Sequence, residues 1–200
     1  MIMFRTFSIL VALIISTTVS SQQLSQEELD TCYIYTDIAT AALTPNDVYI
    51  LDLTKQKLKV LPVEILSFKN LHILKLGKNK IQTLPPEFEK LVHLQELDLS
   101  RNGLESFPLE ILELKQLKTL VLSQNHITAI PYMIKNLALL EYLDMWHNDL
   151  FKIPESMSEL KNLKEFDLRV IQFSQDEKER ITKLVPNATV HFSTSCDCGY

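Results

Sequence analysis

The sequence predicts an α/β repeat solenoid, in which similar short units stack side by side around one parallel sheet. A fixed set of residue types recurs every 23 residues, at nine matched positions in four successive units. One unit reads Leu94, Leu97, Leu99, Asn102, Leu104, Phe107, Pro108, Ile111, Leu114. Such a period is typical of a solenoid because one unit cannot bury its own apolar side, whereas a stack of units can.

Each unit is predicted to contain one strand and one short helical turn. Around Leu97 and Leu99 the apolar residues alternate with Glu96 and Asp98, as expected of a strand with one face in the core and one in solvent. The spacing of Ile111 and Leu114, three residues apart, favours a helical turn that packs on the core from the opposite side.

Asparagine and proline each hold one position in the unit. The asparagines follow the strands, at Asn79, Asn102, Asn125 and Asn148. Because an amide both donates and accepts, this column is expected to satisfy backbone groups of neighbouring units, which is a structural role. The prolines are expected to begin the helical turns, at Pro62, Pro85, Pro108, Pro131 and Pro154.

This pattern, LxxLxLxxNxLxxLPxxIxxL, resembles that of the leucine-rich repeat family. The resemblance covers residues 48–173, as five full units and a partial sixth in which Ile171 replaces the asparagine. Similar repeats occur in Ras-binding and Scribble-type scaffolds, in their plant relatives and in secreted bacterial leucine-rich repeat proteins, which the chain resembles most. The resemblance implies a horseshoe with a parallel concave sheet that binds a protein partner, without a cofactor and without catalysis.

The first 21 residues are typical of a secretory signal peptide. Arg5 precedes the apolar run Ile9–Ile15, and small polar residues follow it. The run is short for a membrane span. We therefore expect a secreted protein, or one in the periplasm or at the cell surface, with no stable membrane insertion after cleavage. If residues 1–21 are not a signal, the alternative is an intracellular scaffold of the Ras-binding type.

Two cap segments flank the repeats. Residues 22–47 are predicted to form a helical N-terminal cap, with helices starting near Ser25 and Asp37 and with Ile38, Ala41, Ala42 and Leu43 covering the first unit. Residues 174–200 are predicted to form a C-terminal cap, with a helix from Ser174, a strand at 189–192 and a cysteine-containing tail.

The cysteines and one sequon lie in these caps. Cys32 should lie too far from Cys196 and Cys198 for a disulfide within one chain, because six strands at ~4.8 Å separate them. The tail pair could close a small ring, stay reduced or link two chains, and it offers too few ligands for a metal site. Asn187 opens an Asn-Ala-Thr sequon, which is a glycosylation site only in a host that glycosylates.

Composition and motifs argue against several function classes. The net charge of −5 disfavours nucleic-acid binding, and three glycines leave no glycine-rich phosphate loop. The sequence contains no HExxH, GxSxG or CxxC motif. Asp144 and Asp167 have a separation compatible with glycosidase chemistry, but a shallow sheet face offers no deep pocket, so we predict no enzyme.

The outward strand positions supply the candidate binding residues. Trp146, the single tryptophan, is expected outside the core on the same face as Tyr142. Exposed aromatic groups on a rigid platform are typical binding anchors. The predicted partner-binding set is Trp146, Tyr142, Asp144, His147, Val121, Asp98 and Arg101.

Other interpretations of this face remain open. Trp146 could instead pack at the sheet rim on Arg169 or Tyr142, and the charged columns could simply form solvated ion pairs worth little each. Besides a binding module, the sequence is compatible with an inhibitor of a secreted hydrolase or with a self-associating structural protein.

Overall fold

A computed structural model describes residues 24–193, which form one parallel sheet with its strands in chain order. The eight strands are β1 (Ile34–Tyr35), β2 (Ile50–Asp52), β3 (Ile73–Lys75), β4 (Glu96–Asp98), β5 (Thr119–Val121), β6 (Tyr142–Asp144), β7 (Glu165–Asp167) and β8 (Thr189–His191). The α-helices are α1 (Gln26–Leu29), α2 (Ile38–Ala41) and α3 (Gln175–Leu184). The 3₁₀ turns are Pro45–Asp47, Val63–Ser67, Pro86–Lys90, Leu109–Glu113, Tyr132–Asn136 and Glu155–Glu159.

The 23-residue period sets the register of the sheet. Leu74, Leu97, Leu120 and Leu143 are partners across successive strands, and all are fully buried. One continuous apolar core runs along the stack and includes Phe166 of β7. The predicted repeat solenoid is therefore confirmed.

Each full unit has a 3₁₀ turn directly after its proline. Pro85 has φ −73°, and its carbonyl accepts the Phe88 N–H at 2.9 Å. Phe88 and Leu91 are then buried on the core side of the turn. Proline suits this position because its φ is fixed near the required value and it has no N–H to leave unpaired.

The asparagine column links neighbouring units by hydrogen bonds. The Asn125 side chain donates to the carbonyls of Leu99 and Leu122, at 3.0 and 2.9 Å, and accepts the Leu104 N–H at 3.2 Å. Asn79 and Asn148 make the same kinds of contact. The structural interpretation of the column is confirmed.

A left-handed residue lies one position before each asparagine of the column, and before Gln56 and Ile171 at the matching positions of the other units, which was not predicted. The φ values lie between 52° and 69° at Lys55, Lys78, Arg101, Gln124, His147 and Val170. Each N–H reaches the next unit; that of His147, for example, donates to the Arg169 carbonyl at 3.0 Å. The left-handed turn therefore carries backbone pairing past the end of the strand.

The N-terminal segment differs in part from expectation. Ser25 precedes α1, and its backbone N–H and hydroxyl donate to the Glu28 carboxylate, while Asp37 caps α2. Strand β1, which pairs with β2, was not predicted. Ala41 is buried, but Ala42 and Leu43 are exposed, so the prediction that they cover the first unit was wrong. Helix α2 is only one turn long and turns only one side to the core.

At the other end, α3 and β8 close the described chain. The Ser174 hydroxyl accepts the Glu177 N–H at 3.2 Å, and Ile181 is buried against the core. β8 pairs with β7 along Thr189–His191. Within residues 24–193, no helix is both long and apolar enough to cross a bilayer.

Candidate binding surface

The outward side chains of the strands form what we call the open face. Its first row, at the start of each strand, is Ile34, Ile50, Ile73, Glu96, Thr119, Tyr142, Glu165 and Thr189. Its second row, two residues later, is Asp52, Lys75, Asp98, Val121, Asp144, Asp167 and His191. Residues next to each other in these rows are register partners on neighbouring strands. The outward strand positions predicted from the repeat period therefore line up as expected.

The aspartates of the second row also shape the turns after the strands. Asp98 accepts the Ser100 N–H at 2.7 Å, and Asp144 accepts the Trp146 N–H at 2.9 Å. Asp52 and Asp167 make the same contact two residues on. An Asx-type bond of this kind fixes the chain direction locally, so these carboxylates are in part structural. The interpretation as solvated ion pairs missed this role.

Cross-strand ion pairs on the open face are few and weak. Lys75 approaches Glu96 at 3.6 Å, and His191 approaches Glu165 at 3.6 Å. The side chains involved are between about a third and a half exposed. Pairs of this kind contribute little to stability.

The adjacent carboxylates of Asp144 and Asp167 are shifted in opposite directions. Burial raises the pKa of Asp144, and the charge of Asp167 adds to this, while hydrogen bonds from Ser123 and Trp146 oppose it. Burial also raises the pKa of Asp167, but hydrogen bonds from Arg169 outweigh it and lower the pKa below its ordinary value. The Arg169 guanidinium holds both Asp167 oxygens, with Nε at 3.0 Å from each.

The aromatic cluster lies on β6 and the turn after it. Tyr142 and Trp146 are both half-buried, and the rings of Trp146 and His147 meet edge to face at 5.9 Å. Burial raises the pKa of Tyr142, and Asp144 adds to the shift. In the part of the chain that is described, the cation–π contacts involve Tyr132 and Phe192 rather than Trp146.

The Arg169 guanidinium pairs with Asp167, and the alternative that Trp146 packs at the sheet rim on Arg169 or Tyr142 stays open. At the position of Trp146 the preceding units have small residues, namely Gly77, Ser100 and Ser123. Trp146 is therefore a large side chain at a position where the preceding units have small ones, and its ring contacts that of His147.

The predicted set is only partly brought together. Tyr142, Asp144, Trp146 and His147 share one strand and its turn, and Val121 is the register partner of Asp144. Asp98 belongs to the next strand along, so it lies about 10 Å from Asp144 given the ~4.8 Å spacing of strands, and Arg101 lies in the turn after that strand. Arg101 is exposed at the left-handed turn position.

The first two repeat strands are covered by the chain itself. Ile50 and Ile73 of the first row are buried under Leu29 of α1, in a small apolar cluster that Leu24 and Tyr49 border. The Gln95 amide donates to the Leu24 carbonyl at 3.0 Å and holds the segment in place. This cover over Ile50 and Ile73 was not predicted. Their apolar character, in a row that is otherwise mostly polar, was the available signal.

The remaining predicted sites are peripheral. Asn187 is exposed in the turn before β8, as a glycan acceptor would have to be. The Cys32 thiol donates to the Glu28 carbonyl at 3.5 Å, and burial raises its pKa, with a further contribution from Glu28. Cys196, Cys198 and the predicted signal peptide lie outside the described residues. Among residues 24–193, no group of three or more His, Cys, Asp or Glu is placed to hold a metal ion.

Comparison with known proteins now decides the family. The family model described as leucine-rich repeat region matches residues 48–188, well over half of the chain. The chain belongs to the leucine-rich repeat family. No curated protein matches it.

Two solved leucine-rich repeat structures show the same fold. A leucine-rich repeat protein of Leptospira interrogans is 33% identical with a TM-score of 0.64, over 81% of this chain and 48% of that one. An internalin, InlF, of Listeria monocytogenes is 19% identical with a TM-score of 0.59, over 82% of this chain and 54% of that one. The chain thus spans about half the length of each. Proteins of this family typically act as non-catalytic modules for protein interaction, and the fold suggests such a module here.

Proposed function

We propose that the protein is an exported, non-catalytic module that binds a protein partner on the open face, with Trp146 and Tyr142 as anchors. The observation that supports this most is the division of the open face. Its first strands are covered by Leu29 and the segment around it, whereas the aromatic cluster lies four strands further along, on β6. A partner would therefore dock on β4 to β7.

The chemistry of this region suits a protein surface. Trp146 and Tyr142 offer large apolar area with few rotatable bonds, which is characteristic of binding hot spots. Asp144 fixes the backbone beneath Trp146 through the 2.9 Å hydrogen bond, so the ring starts from a rigid strand end. Val121 adds an apolar neighbour, while Asp98 and Arg101 supply opposite charges at the edge of the contact.

The test compares Trp146→Ala with a matched control. Phe151 is another large aromatic residue, 73% exposed and outside the strand rows, so Phe151→Ala removes exposed aromatic area elsewhere. Partners are captured from host or culture supernatant with the wild type and identified, and their affinities for both variants are measured. Loss of an anchor costs about 2 kcal/mol or more, which is roughly thirtyfold in Kd.

The thermal unfolding of the same variants separates binding from packing. We expect Trp146→Ala to leave Tm nearly unchanged and Phe151→Ala to bind like the wild type. A large fall in Tm for Trp146→Ala, or equal affinity of both variants, would reject the anchor role.

Export has its own test, because it rests on residues 1–21. N-terminal sequencing of protein recovered from the medium or periplasm should begin near residue 21 or 22. Full-length protein retained inside the cell would reject export and favour the intracellular scaffold. The binding test is independent of this outcome.

A further inference from the structure

A second surface lies on the side of the solenoid formed by the 3₁₀ turns. In four successive units, the residue directly after the proline that precedes the 3₁₀ turn is apolar and exposed to solvent. We call this row the turn ridge, and its members are Val63, Pro86, Leu109 and Tyr132. Val63, Leu109 and Tyr132 are 71%, 61% and 56% exposed. Scattered exposed apolar residues are ordinary, but an aligned row of them is typical of an interaction site.

An acidic row runs beside the ridge. The next residue in each of the first three units is a glutamate, at Glu64, Glu87 and Glu110. None of these three forms an ion pair within the described chain. Across the turns Val63–Ser67, Pro86–Lys90 and Leu109–Glu113, five glutamates stand against the single cation Lys90, and one of them, Glu113, pairs with Lys115 just beyond its turn. The acidic row ends there, because in the fourth turn Lys135 lies over the Tyr132 ring.

A groove adjoins the middle of the ridge. It encloses about 190 Å³ between two units, and its walls include Thr83, Leu84, Phe107, Leu109 and Glu110. Its lining is partly apolar and it opens to solvent next to a free carboxylate. An inserted apolar side chain would therefore be held beside a neighbouring positive charge.

From this arrangement we propose that the turn ridge docks an amphipathic helix of a partner protein, whose apolar stripe is flanked by lysine or arginine. The charge complementarity selects the flanking residues. The single row of apolar side chains matches the single apolar stripe of an amphipathic helix. This mode is the helix-in-groove type of recognition.

Two other occupants fit less well. An anionic membrane would be repelled by the acidic row. A second copy of the chain has no free amphipathic helix among residues 24–193, since α3 is the one helix there longer than a single turn and it buries Ile181 and partly buries Leu184 in its own core. The ridge lies apart from the open face, so the protein would be able to hold two partners at once.

The test uses two designed helical peptides of about 18 residues, one with a leucine stripe flanked by lysine and one with the same stripe flanked by glutamate. Binding to the full chain is followed by fluorescence anisotropy. The ridge variant is Leu109→Ser with Tyr132→Ser, and its control is Leu43→Ser, since Leu43 is 80% exposed and off the ridge. The charge variant is Glu64→Lys with Glu87→Lys, and its control is Glu179→Lys on α3.

We expect the lysine-flanked peptide to bind the wild type at least about tenfold more tightly than the glutamate-flanked one. The ridge and charge variants should each weaken that binding about tenfold or more, with both controls within about twofold of the wild type. Circular dichroism checks that every variant is folded. Trp146→Ala should not change peptide binding, which separates this proposal from the open-face one.

Three results would overturn the proposal. Equal binding of the two peptides would remove the charge complementarity, and equal effects of variants and controls would remove the site. Sedimentation showing a dimer of the wild type that the ridge variant abolishes would assign the ridge to a second copy instead of a partner helix.

Discussion

Asn125→Ala should destabilise the solenoid by an amount that its hydrogen bonds set. The side chain is 3% exposed and makes hydrogen bonds of 3.2 Å or less to four backbone groups, the N–H groups of Leu104 and Asn102 and the carbonyls of Leu99 and Leu122. A longer contact, at 3.4 Å, reaches the Ser123 carbonyl. Truncation to alanine removes all of these contacts at once.

The four losses are not equal. The Leu99 carbonyl keeps the amide of Asn102, and the Leu122 carbonyl keeps that of Asn148, each at 3.0 Å. The N–H groups of Leu104 and Asn102 have no other acceptor among the hydrogen bonds of the described chain, but only Leu104 is fully buried, whereas Asn102 is half-buried and water can reach it. One buried unsatisfied group costs about 1–3 kcal/mol, and that range, rather than four times as much, is the expected loss. It corresponds to a fall in Tm of roughly 2–12 °C for a chain of this size.

Urea unfolding followed by circular dichroism measures this loss, with a check of two-state behaviour because repeat proteins can unfold in parts. Gln56 occupies the same position in the first unit but is exposed. Gln56→Ala should therefore change stability by no more than about 0.5 kcal/mol. If the two variants lose the same stability, the side-chain hydrogen bonds of the asparagine column do not stabilise the solenoid.

Four further variants test other parts of the structure. Asp167→Asn should destabilise the protein at neutral pH and flatten its loss of stability in acid, because a lowered folded-state pKa gives stability that disappears as the pH falls through it. Asp144→Asn should instead stabilise the protein at pH values above the raised folded-state pKa of Asp144, because the amide removes a buried charge and keeps an acceptor for the Trp146 N–H. Unfolding of both variants as a function of pH measures this opposite effect on stability. Leu29→Ala should weaken the N-terminal cover by about 2–5 kcal/mol, seen as faster amide exchange in residues 24–32 with β4 to β7 unchanged; faster exchange throughout would contradict a local role. Val170→Asn should stabilise by up to about 1 kcal/mol in urea unfolding, because a β-branched residue is strained at φ 69°, and an unchanged midpoint would argue against that strain.

The repeat pattern was enough to predict the core and the register. Leucines at fixed spacing leave one arrangement that buries them all, and Leu97 and Leu120 lie as the period requires. The hydrogen-bonding role of Asn125 was predictable because an amide both donates and accepts. The position of Pro85 before a helical turn was predictable because the proline ring fixes φ. These features depend on local and periodic signals, which a single sequence contains.

Other features depend on contacts that no period encodes. The cover that Leu29 places over Ile73 joins residues far apart in sequence, and β1 is only two residues long. The left-handed φ of His147 was missed because the position carries ordinary side chains instead of glycine. On the candidate site, the pattern placed Trp146 and Tyr142 on one face, but the hydrogen bond from Trp146 to Asp144 required coordinates.

The most direct test of the open-face proposal uses the single tryptophan of the chain. Protein labelled with fluorotryptophan has one fluorine resonance, from Trp146, and that signal is followed by NMR while a captured partner is added. Binding on the open face should shift this resonance in a saturable way, with the same midpoint as partner binding. Tight binding that leaves the resonance unmoved would place the partner elsewhere and contradict the open-face proposal.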